Sequence, residues 1–92
     1  MPKYVIEREL PGAGTMSRDQ LRQVAQKSNG VIQTLGGHKI QWVETYVTDD
    51  KLYCVYNAAS PNILEEHAKC GGFPANRIAQ VRNIMDPTTA ES

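Results

Sequence analysis

Two hydrophobic periods alternate along the chain. Between Lys3 and Leu10, Tyr4, Ile6 and Leu10 alternate with Val5, Glu7 and Glu9. This is close to the period-two pattern of a strand, with Arg8 interrupting the apolar set. "PGAGT" then reads as a flexible loop, and Ser17 with Gln20 three residues on forms a capping-box signature for a helix start. Leu21, Val24, Ala25, Ser28, Val31, Ile32 and Leu35 recur at intervals of three and four, a single helical stripe that Gly36-Gly37 ends. Two runs rich in β-branched and aromatic residues follow, Lys39 to Thr48 and Lys51 to Ala58, joined through Asp49-Asp50 as a tight hairpin. Ser60-Pro61 opens a second helix, with Ile63, Leu64, His67 and Ala68 on its buried stripe and Gly71-Gly72 at its end. Ile78, Val81 and Ile84 mark a last strand over Ile78 to Met85, at a sheet edge with Arg77 and Arg82.

The resulting order is βαββαβ. Right-handed crossovers fold it into a four-stranded antiparallel sheet with both helices on one face, an α+β ferredoxin-like sandwich. Residues 1–86 make up this single domain and residues 87–92 a polar C-terminal tail. Pairing the hairpin around Thr48 and Lys51 groups Trp42, Glu44, Tyr46, Tyr53 and Val55 on one face, and Val43, Thr45, Val47, Leu52, Cys54 and Tyr56 on the other. Both faces are largely apolar, yet two helices cover only one. The open face, with Trp42, Tyr46 and Tyr53, is therefore expected to pair with a second copy, sheet against sheet, in a symmetric homodimer.

Composition sharpens this picture. A chain of 92 residues buries only roughly 60 to 65% of its unfolded surface, so association would add to a thin core. Ten basic and ten acidic residues cancel, which removes the electrostatic attraction of a polyanion binder. Nucleic acid is disfavoured further because "KLYCVY" only faintly echoes the aromatic strand of an RNA-recognition domain: Val55 stands where a second stacking ring belongs. No apolar run is long enough for a membrane span or a signal peptide, so the expected setting is cytoplasmic, with both cysteines reduced.

Candidate chemistry concentrates in "EEHAKCGGFPANRI", residues 65–78, where His67 and Cys70 lie three apart on one side of a helix. Such a pair offers an imidazole and a thiolate to nickel or zinc, but two ligands do not complete a site. The plainer reading is a hydrogen-bonded core histidine beside a small space-filling cysteine. Glu44, placed between Trp42 and Tyr46, is a carboxylate on an apolar face, which must be paired, hydrated or raised in pKa. "PGAGT" lacks the lysine and hydroxyl residue of a phosphate-binding loop.

The hairpin "QWVETYVTDDKLYCVY" followed by "EEHAKCGGFPANRI" resembles a bacterial family of short ferredoxin-like proteins of unassigned role, one of whose members is a nickel-binding protein. The resemblance runs from "MPKYVIERELPG" to "VRNIMDP", with His67, Gly72 and Pro74 in the family-like helix-end pattern. It implies a dimeric α+β barrel and admits nickel as a cofactor.

Three functional classes follow. The leading one is a dimeric protein binding a metal ion or small hydrophobic ligand, with His67, Cys70 and Glu44 as metal ligands, and His67, Glu44, Tyr53, Trp42 and Tyr46 around the ligand. The second is a small-molecule enzyme of the dimeric barrel type using His67 or Glu44 as general acid or base. The third is a structural or regulatory dimer without chemistry.

Overall fold

A computed structural model describes residues 1–91. The elements run β1 (Lys3–Glu9), a 3-10 turn (Ala13–Thr15), α1 (Arg18–Leu35), β2 (Ile40–Val47), β3 (Lys51–Ala58), α2 (Pro61–Gly71), β4 (Arg77–Gln80) and a terminal 3-10 turn (Pro87–Glu91). The four strands form one antiparallel sheet in the order β2-β3-β1-β4, the ferredoxin-like topology.

Local chemistry sets the helix ends. Ser17 Oγ accepts from the Gln20 amide while the Gln20 side chain accepts from the Ser17 amide, closing the capping box expected from sequence. α2 begins with Pro61 in its first turn, where a missing N–H costs no intrahelical bond. It ends at Gly72, whose φ of 70° is the left-handed geometry that lets the Gly72 and Phe73 amides fold back onto Ala68 and Lys69 carbonyls.

Alternation places Tyr4 and Ile6 of β1 with Leu52, Cys54, Tyr56 and Ala58 of β3 beneath the helices, where Leu64 of α2 and Ile40 of β2 complete a buried cluster. Full burial of each Ile or Leu contributes roughly 1.5–3 kcal/mol. Arg8 continues the inward set of β1 and is itself only 2% exposed.

Three expectations are corrected. First, β2 and β3 pair as foreseen at Tyr46↔Tyr53 and Val47↔Leu52, but the register shifts by a bulge between Trp42 and Glu44. One surplus residue reverses the alternation. Trp42 therefore lies opposite Tyr56 and packs on the helix-covered side, while Glu44, opposite Val55, stays with Tyr46 and Tyr53 on the open face.

Second, β4 spans only Arg77–Gln80, not Ile78 to Met85. Its partner runs out: Gln80 pairs with Tyr4, the Val81 amide reaches the Lys3 carbonyl, and β1 begins there. Ile84 and Met85 are consequently exposed. Third, the "PGAGT" segment is a docked turn and not a loose loop. The Leu10 amide just before it and its own Gly14 amide donate to the Asp50 and Asp49 carbonyls of the hairpin, and Ala13 is buried.

Candidate functional site

α1 stands off from the sheet. Of its stripe only Ser28 is fully buried, and Leu21, Val24 and Ala25 are half-buried because a cavity of about 270 Å³ lies beneath them. A dry cavity of about 150 Å³ already admits benzene, so this space is large for so small a fold. Trp42, Val47 and Leu52 wall its sheet side. The indole is fixed by its Nε1–H, which donates to Thr45 Oγ1 at 2.9 Å.

The remaining wall is polar and built from both ends of the chain. Arg8 Nε donates to Cys54 Sγ at 3.4 Å and Nη1 to the Pro74 carbonyl at 2.6 Å, while Nη2 has no partner. Among the described residues no carboxylate is paired with it: Glu7, its neighbour in sequence, faces the other way and holds Lys51 at 2.6 Å. The guanidinium carbon lies 5.5 Å from the centroid of the Phe73 ring. That ring stacks in turn on His67, centroids 5.5 Å apart and planes 23° from parallel.

Gly71 makes this stack possible, since a Cβ there would come within 2.3 Å of the Phe73 ring. "GGFP" thus has three coupled tasks. It ends α2, sets an aromatic plate against both His67 and Arg8, and aims the Pro74 carbonyl at the guanidinium.

His67 is 0% exposed. Its Nε2 is 3.1 Å from Ser28 Oγ, which is 3.4 Å from Tyr56 Oη, so a hydroxyl of α1 links an imidazole of α2 to a phenol of β3. Burial, reinforced by the Arg8 charge and only partly opposed by the Ser28 contact, lowers the His67 pKa and keeps the ring neutral. Burial likewise pushes the Tyr56 hydroxyl up. The Ser28–His67 contact has the form of a nucleophile with its base, but Nδ1 of His67 has no partner. The orienting third group of a catalytic triad is missing. Ser28 and Tyr56 line the cavity, and His67 stands behind them.

The residues expected to form one site are divided by the sheet. Trp42 lines the cavity and His67 supports its wall, whereas Glu44, Tyr46 and Tyr53 occupy the opposite face, where the Tyr46 hydroxyl donates to the exposed Glu44 carboxylate. Cys70 is exposed and lines an open groove with Lys27, Val31 and Leu35, apart from the buried His67 ring. His67, Cys70 and Glu44 therefore do not converge, and among the described residues no three His, Cys, Asp or Glu side chains are grouped to hold a metal ion. The residues sequence reasoning missed are Arg8, Ser28, Tyr56 and Phe73. Arg8 and Ser28 carried a signal, as polar residues in phase with an apolar face.

The sequence model of the family described as "Nickel responsive protein SCO4226-like" matches residues 4–81, which takes in both helices and all four strands except Lys3 at the start of β1. The chain belongs to the SCO4226-like family. Its fold is also that of SCO4226 from Streptomyces coelicolor A3(2), known from a crystal structure. The two superpose with a TM-score of 0.75 at 16% identity, over 90% of this chain and 99% of that one. No curated protein matches. Within this SCO4226-like chain, no described helix is long and apolar enough to cross a membrane.

Proposed function

We propose that this SCO4226-like protein binds a small, mainly apolar ligand in the cavity beneath α1, and does so as a homodimer joined through its open sheet face. The observation that carries the reading is the cavity itself: about 270 Å³ walled by Trp42, Leu21, Val24 and Leu52, with Arg8, Ser28, Thr45 and Tyr56 as its few polar residues beside the Cys54 thiol. Concave apolar space with a small number of placed polar atoms is the usual anatomy of a ligand site. Support for the dimer comes from the other face, where Tyr46, 56% exposed, lies beside Tyr53, with Val55 opposite Glu44 and Val5 opposite Val55.

The test is a panel of small apolar compounds followed by emission of Trp42, the chain's single tryptophan. Saturable changes in the native protein, abolished when Val24→Phe fills the cavity and leaves Trp42 the single tryptophan, are expected. A panel without any saturable change overturns the reading. Sedimentation of Tyr46→Glu against the native protein checks the dimer, which the substitution should dissociate.

The family's description favours a second reading, a relation to nickel. The described donors of one chain do not fit a nickel centre, so this reading requires ligands from a second copy. Nickel retained per chain after equilibration, measured with and without His67→Ala, tests it. Retention unchanged by the substitution removes His67 as a ligand.

A further inference from the structure

We propose that the cavity beneath α1 selects a monocarboxylate with an apolar tail, its head group taken by Arg8 and its tail lying among Leu21, Val24, Trp42 and Leu52. This rests on the ligand-binding reading above and names the ligand's chemistry.

Arg8 is a guanidinium 2% exposed, whose side chain forms part of the cavity wall. Its three tethers are a thiol, a backbone carbonyl and an aromatic face, all of them uncharged. One nitrogen, Nη2, donates to nothing, and among the described residues no carboxylate neutralises the charge. A buried cation without a counter-ion is unfavourable on its own account, and natural proteins pair such charges. An anion arriving in the cavity beside Arg8, with a small shift of the guanidinium that brings Nη2 to the cavity surface, supplies the absent half of the pair.

The character of that anion follows from the walls. Arg8 is the only charged side chain among the residues lining this cavity, so a single negative charge is matched and a dianionic phosphate is not. The same charge repels a metal cation. A planar guanidinium suits a planar carboxylate, and Ser28 and Tyr56, which also line the space, carry hydroxyls able to donate to the same head group. Everything else that lines the space is apolar apart from Thr45 and the Cys54 thiol, which requires a hydrocarbon body. The volume suits a ligand on the order of ten heavy atoms, by scaling from benzene in a smaller cavity.

Sodium octanoate and 1-octanol, both optically silent, separate the head group from the tail when each is titrated at neutral pH against Trp42 emission. Octanoate is expected to bind about tenfold or more tightly than octanol, the scale of one charge-assisted hydrogen bond. In Arg8→Met that preference should fall to about one while octanol binding persists. Arg8→Lys, which keeps a charge but not the fork, should retain less than about a third of the preference and serves if the Met variant does not fold. Octanol binding as tightly as octanoate to the native protein, or a preference that survives both substitutions, overturns the carboxylate assignment and leaves the ligand-binding reading standing. If neither compound changes the emission or the melting temperature, the cavity is no site for such ligands and the assignment falls with it.

Discussion

Ser28 Oγ and His67 Nε2 stand 3.1 Å apart, although 39 residues separate them in sequence. The contact ties α1 to α2 above Tyr56, and it is the one hydrogen bond the His67 ring makes, since Nδ1 has no partner. Ser28→Ala would leave a fully buried imidazole unsatisfied at both nitrogens. The expected cost is about 1–3 kcal/mol, read as a lower urea midpoint with an unchanged slope.

Acidification should weaken the fold through the same ring. The pKa of His67 is lowered from 6.5 by burial and by Arg8, so the unfolded chain binds a proton more readily than the folded one. Stability from this group is then fully present above about pH 6.5 and lost progressively as pH falls below it. Melting temperatures measured between pH 7.5 and 5 should decline, and His67→Gln should flatten that decline.

Arg8 offers a contrasting outcome. Replacing it by Met removes a buried charge of similar length while giving up the bonds to Pro74 and Cys54. Buried ionic groups exchanged for hydrophobic ones of similar volume are often neutral or stabilising. Without ligand, Arg8→Met is expected to unfold within about 1 kcal/mol of the native protein or above it. A loss beyond about 2 kcal/mol in urea denaturation would instead make the guanidinium a structural strut.

At the end of α2, neighbouring glycines should respond differently to alanine. Gly72→Ala meets the left-handed φ of 70° and should cost about 1 kcal/mol. Gly71→Ala puts a methyl into the Phe73 ring, and that ring is held against both His67 and Arg8. About 1–3 kcal/mol is expected from overpacking. Its Trp42 emission should shift as well, because Phe73 lines the same cavity. Urea titrations of both variants, with emission spectra, separate the two effects.

The two cysteines should also part company. Cys70 is exposed and Cys54 buried. A thiol reagent is expected to modify one thiol per chain under native conditions and the second only on unfolding. Octanoate occupying the cavity should slow modification of Cys54 further, since its side chain lines that space.

Much of the architecture was legible because it rests on local rules. The Ser17–Gln20 capping box, the Pro61 helix start, the Gly72 stop and the Asp49-Asp50 hairpin each depend on a few adjacent residues, and each forms as read. The site was less legible because it rests on juxtapositions. Nothing adjacent to Arg8 announces that Phe73 and Pro74, more than sixty residues on, will cradle it. Its phase with Tyr4 and Ile6 was visible, as was the phase of Ser28 with the α1 stripe, but a polar residue in phase does not reveal its partner. Trp42 was misplaced for a different reason. Strict alternation takes every residue of a strand to count once, and a bulge lets two share one opposing position. β4 was overextended because apolar content alone does not show where a partner strand begins.

That bulge gives β2 a divided allegiance. Upstream of it the indole of Trp42 turns inward to the chamber, and downstream Glu44 and Tyr46 turn outward to the uncovered surface, so a single edge strand is read by two different environments. Val43 is the surplus residue: were the strand to run flat with Val43 opposite Tyr56, the indole would be evicted onto the outside and the chamber would lose that wall, whereas removing Val43 would restore the regular pleat and leave Trp42 facing inward opposite Tyr56.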